Sequence, residues 1–379
     1  MENNNPNAVK FHFTNSRFVP DDAAKGLFLF LVLQTVITLV YNVLYMVGLV
    51  QSIWSYLFTL ILDFCFVSCV ISIARQKKIN VITNLKLSRA PSVKHVFICI
   101  AISVICLFGF SAVTNMFLEL LYSMGYSSVT SDITIPNFET YLMYVGLICV
   151  APAICEEILF RGLICNGLKR LGSVTAVLGS AFLFMIMHGS PDQTVHQFIL
   201  GIILAVVFLV TNNLWVPIII HFLNNFIAVT ISYVAYGDSA SETLVTEETI
   251  NIGTYIQEYL LYTIVSAAIA SILIYILIRA LSRTQKDVEE TEPVEIKSMT
   301  DVFQEDQFSI PQSSYYEASA EGLYAEGHEE KTEDAYVDPV FQLDENKMSS
   351  GGKAMLIISV AWLVIDWFSA LLIGFSGLV

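Results

Sequence analysis

Apolar residues in this chain come in long unbroken runs, with neither the strict alternation of a half-buried strand nor the stripe of an amphipathic helix. Several runs reach about 20 residues, the length a helix needs to cross a hydrocarbon core about 30 Å thick. In order they predict helices near 26–50, 53–74, 96–122, 141–165, 174–188, 195–211, 214–235, 258–281 and 354–375. The fifth and sixth are the shortest and read as tilted, broken or partly inserted. The predicted fold class is all-α: a polytopic transmembrane helical bundle with an eight-span core and one extra C-terminal span. The polar first 25 residues precede an apolar run too long for the h-region of a signal peptide, so that run reads as a retained span.

Basic residues in the polar gaps orient the spans, because Lys and Arg near span ends stay on the cytoplasmic side. Arg75, Lys77, Lys78, Lys86, Arg89 and Lys94 follow the second span, Lys169 and Arg170 the fourth, and Arg279, Arg283 and Lys286 the eighth. The gaps 123–140, 189–194 and 236–256 contain neither Lys nor Arg. Alternation then puts the protein in a cell membrane as a multi-pass chain, with its N-terminus cytoplasmic and its C-terminus external.

Composition agrees with this class: 55% of residues are hydrophobic, 14% are charged, and mean hydropathy is +0.65. The net charge of −15 is informative only once located. Lys286 to Lys353 carries 18 acidic residues against 5 lysines, so the membrane body is nearly neutral and no basic patch calls for a nucleic acid. Four segments result: a cytoplasmic stretch 1–25, a membrane core 26–284, an acidic linker 285–353 read as disordered, and an anchor 354–379. The linker buries too little apolar surface to order itself; it is a solvated spacer or a docking site for a partner. The seven cysteines all fall inside predicted spans without a CxxC pair, as small apolar side chains do.

An ionisable group at hydrocarbon depth costs on the order of 3 kcal/mol, so each one calls for a functional reason. The fourth span carries Pro152, Glu156, Glu157 and Arg161, the fifth ends on His188, and the seventh carries Pro217, His221, Asn224 and Asn225. Glu157 and Arg161 stand four apart on one helix face, the spacing of an ion pair. Glu156 points about 100° away with no local cation, a setting that suits a general base. His221 and Asn225 share one stripe and offer two donors to a developing oxyanion, while Asn224 faces elsewhere and reads as an interhelical partner. Each proline releases a carbonyl four residues earlier and bends the helix, which opens room for water. Counting rise from predicted helix ends places Glu156 roughly 14 Å, His221 roughly 10 Å and Asn225 roughly 16 Å in, but His188 roughly 21 Å. Asp63, Glu119 and His196 stand outside this constellation and read as packing, cavity or interfacial groups.

The series EExxxR (Glu156, Glu157, Arg161), FxxxH (Phe184, His188) and HxxxN (His221, Asn225) resembles the CAAX protease and bacteriocin-processing family, often abbreviated CPBP or Abi. The resemblance covers about residues 140–235, and its members are similar to type II CAAX prenyl endopeptidases. It implies an intramembrane endopeptidase in which Glu156 and His188 activate water, His221 and Asn225 form the oxyanion hole, and Glu157 and Arg161 support them. The family is also labelled metalloprotease. A zinc on Glu156, His188 and His221 fits an acid and two histidines, yet HExxH is absent and the same residues serve a metal-free route, which is favoured. The implied partners are the lipid bilayer and a membrane-associated peptide or protein substrate, prenylated or bacteriocin-like.

Two other classes compete. A transporter also places prolines and polar groups in mid-membrane, but in two matching halves, whereas here they cluster between 152 and 225. A catalytically silent scaffold would bind partners through the acidic linker and has no need of the complete acid, histidine and asparagine set.

Overall fold

The structure, a computed structural model, describes residues 17–50, 54–87, 90–128, 135–238, 252–291 and 347–376. These fold as helices and connections, with no strand among them: α1 (Pro20–Met46), α2 (Trp54–Gln76), α3 (Val93–Ser123), α4 (Phe138–Leu171), α5 (Ser173–Met187), α6 (Thr194–Thr211), α7 (Trp215–Asp238), α8 (Ile252–Thr291) and α9 (Ser350–Ser376). All except α5 are long and apolar enough to cross a membrane, so the described residues hold eight such helices. The predicted all-α bundle is therefore what forms, with one difference. At 15 residues α5 is about 22 Å long, short of a hydrocarbon core.

α5 and α6 are joined by a short turn and pack along each other. Gly201 of α6 lies against Ala181, where any side chain would meet that residue's backbone. Both helices are apolar on every side, which suits α6 to its place as the most enclosed of the eight. Around them, α1 packs on α2, the second half of α4 and α9, and α7 packs on the first part of α3. Side chains such as Leu39 of α1 and Leu261 of α8 point outward at more than 60% exposure, as lipid-facing residues do.

Several boundaries differ from the sequence expectation. α1 starts at Pro20, ahead of the apolar run, because proline suits a first helical position and the Asp22 carboxylate accepts the Val19 N–H at 2.9 Å. α4 continues to Leu171, passing through π-helical segments at Val145–Val150 and Ile158–Cys165. α8 continues to Thr291, so the first residues assigned to the linker are helical; its stretch 292–346 lies outside the described residues. α9 begins at Ser350, four residues before the predicted anchor.

α9 is fastened at three levels. The Ser349 N–H donates to Asp21 at 2.9 Å, the Trp367 indole donates to Thr194 at 2.9 Å, and the Gly374 carbonyl accepts from the Ser127 N–H at 2.9 Å.

Candidate active site

The middle of α4 is built around Pro152. With no N–H, proline cannot serve the Ile148 carbonyl in the usual helical way, and the helix is π-helical just before it. Asn225 of α7 donates its side-chain amide to that carbonyl at 3.0 Å. A sequence break in one helix thus becomes a joint with another, and one of the two amide hydrogens of Asn225 is committed to it.

The two glutamates that follow face different neighbours. Glu157 is wholly buried and its Oε1 accepts from Arg161 at 2.8 Å and from His221 Nδ1 at 2.9 Å. Arg161, also wholly buried, donates onward to the Gly201 carbonyl at 3.0 Å and lies 4.5 Å above the Phe184 ring. A charge taken out of water persists only with this density of partners. Because a carboxylate can only accept, His221 carries its hydrogen on Nδ1. Its Nε2 is left to accept in the neutral ring or to donate when both nitrogens are protonated.

Glu156 points to a cavity of about 150 Å³ between α1, α2, α4 and the end of α5. Phe30 and Gln34 of α1, Thr59, Asp63 and Phe66 of α2, and His188 complete most of its wall. His188 caps α5, and Gly189, with φ +59°, turns the chain away behind it. His188 Nδ1 lies 2.8 Å from the Phe184 carbonyl, which can only accept, so Nε2 of the neutral ring is an acceptor. The Phe184 ring stands edge-on to both His188 and His221, with centroids 4.9 and 5.6 Å away.

The structure therefore gathers Glu156 with His188 on one cavity, and Glu157, Arg161 and His221 in one buried cluster beside it. His221 and Asn225 do not line that cavity. Depth reckoning separated Glu156 from His188 because it ended α4 too early. Counted from Leu171, Glu156 lies about 22 Å along its helix, level with His188 counted from Ser173. Asn224 meets His196 at 3.1 Å, as its interhelical role requires. Asp63, read from the sequence as a packing or cavity group, lines the cavity; the polar lining residues Gln34 and Thr59 escaped the sequence reading.

A zinc held by Glu156, His188 and His221 does not fit these residues. Among the described residues no three His, Cys, Asp or Glu side chains stand close enough to hold a metal ion.

The family model described as "Type II CAAX prenyl endopeptidase Rce1-like" matches residues 138–227, from the start of α4 into α7. No curated protein and no solved structure matches the chain. The matched stretch contains the buried Glu157–Arg161–His221 cluster, Glu156, His188 and Asn225, and its match to the Rce1-like model supports the CAAX protease family.

Proposed function

We propose that this chain is an intramembrane endopeptidase that hydrolyses a peptide bond of a membrane-associated substrate with water activated by Glu156. The matching family's description points to prenylated CAAX proteins as the first substrate class to try. The observation that carries the reading is the division of labour in α4: Glu157 is occupied by Arg161 and His221, whereas Glu156 faces a cavity shared with His188.

A water in that cavity donates one hydrogen to Glu156 and one to Nε2 of His188, which leaves an oxygen lone pair for the substrate carbonyl carbon. Glu156 takes the proton as the carbon–oxygen bond forms. The negative charge that develops on the carbonyl oxygen is met by the second amide hydrogen of Asn225 and by Nε2 of His221 in its doubly protonated form, with the ring held by Glu157 and Arg161. No step passes through a metal.

The test is cleavage in lipid vesicles, with prenylated CAAX peptides and a panel of transmembrane peptides. The intact protein is expected to cleave at least one of them, before and after extensive chelation, and Glu156→Gln to cleave none. Turnover retained by Glu156→Gln overturns the assignment of the base, and turnover lost on chelation and restored by zinc overturns the metal-free route.

A further inference from the structure

Asp63 has no place in the reading so far. It sits in the middle of α2, is 5% exposed, and lines the same cavity as Glu156 and His188. Its Oδ2 has no hydrogen-bond partner among the described residues, and neither has Oε2 of Glu156. An acid with a purely packing role at this depth is expected to find a cation or donors. Arg161, the cation buried in the adjoining cluster, is committed to Glu157 and Gly201. Two carboxyl groups lining one cavity, each with an oxygen that has no partner among the described residues, repel when both are ionised, so the pair is most stable with one proton between them. Such a pair supplies a base and an acid at once.

Peptide hydrolysis needs both. Glu156 accounts for the proton removed from water, but the departing nitrogen must also gain one, because an amide anion is too poor a leaving group to be expelled. We propose that Asp63 is the general acid of this site and delivers that proton. The assignment rests on Glu156 being the base.

The steps balance. Water oxygen bonds to the carbonyl carbon as its proton passes to the Glu156 carboxylate. The carbon–nitrogen bond then breaks, its electron pair goes to nitrogen, and nitrogen takes the proton of the Asp63 carboxyl group. One product ends as a carboxylic acid and the other as a free amine. The proton on Glu156 returns to Asp63 across the cavity, and both carboxyl groups regain their starting state.

The experiment compares two leaving groups. The peptide that the intact protein cleaves in vesicles is prepared with its scissile amide and, separately, with an ester at that bond, whose alcohol leaves with much less need of a proton. Asp63→Asn is expected to lower kcat on the amide by about 100-fold or more with KM little changed, to lower kcat on the ester far less, and to regain part of the amide rate as Asp63→Glu. The ester-to-amide ratio is taken within one preparation, so partial misfolding does not alter it. A ratio equal to that of the intact protein overturns the role of Asp63 and leaves Glu156 untouched. Ester hydrolysis surviving in Glu156→Gln, or an intact protein inert toward every peptide, removes the reading of the site and this proposal with it.

Discussion

Through a single oxygen, Glu157 holds both the guanidinium of Arg161 and the imidazole of His221. Neutralising it strands a buried cation and releases the His221 ring proposed to meet the substrate oxygen. Removing one partner of a buried pair typically costs about 3–5 kcal/mol, so Glu157→Gln is expected to lower the unfolding midpoint in detergent or vesicles as well as turnover. Glu156→Gln is isosteric and faces a cavity, so its midpoint should stay near that of the intact protein while turnover disappears. An equal loss of stability in both variants would contradict the division between them. Much of this was legible in the sequence, because an acid and an arginine four apart in a helix can only face the same way. The link to His221 was not legible, since nothing in local spacing tells which neighbouring helix a buried acid will meet.

Between elements, the joint of α4 and α7 depends on a missing N–H. Pro152 leaves the Ile148 carbonyl in need of a donor, and Asn225 supplies it. Two roles for Asn225, structural and catalytic, can be separated by restoring the helix. Asn225→Ala should lower both stability and turnover; combined with Pro152→Ala, the stability loss should shrink. Turnover should remain down by about 10²–10³-fold, the cost of one oxyanion donor. Recovery of turnover together with stability would show that Asn225 only holds the joint. The sequence foretold the freed carbonyl but not its taker, and it ended α4 at Cys165 where the apolar run fades. The structure continues the helix to Leu171 through Lys169 and Arg170, whose polar side chains do not interrupt backbone hydrogen bonding. That difference is what moved Glu156 to the level of His188. Asp63 reads from the sequence only as a packing or cavity group for a related reason: it comes from α2, far outside the motif-bearing stretch, and only packing brings it to the cavity of Glu156.

Across the whole molecule, the charge asymmetry of the connections makes its own forecast. Cysteines introduced in 236–256 should react with an impermeant reagent from outside, and those in 75–95 or 285–353 should not; reversed labelling would invert the orientation. All seven native cysteines are buried, which keeps the background low.

The fastening of α9 bears on when the enzyme matures. The turn that follows His188 is braced from outside the family domain: Trp367 donates to Thr194, and Asp366 lies beside Gly189. These contacts belong to α9, which the ribosome makes more than 150 residues after His188. A nascent chain already holds Glu156, His188, His221 and Asn225 in the bilayer while this brace is still missing. Chains stopped at Thr291 are thus expected to insert normally yet hydrolyse slowly, and supplying 347–379 as a separate helix should quicken them. α9 would then act as a late-arriving brace, keeping the site quiet inside its own membrane until that helix has been made.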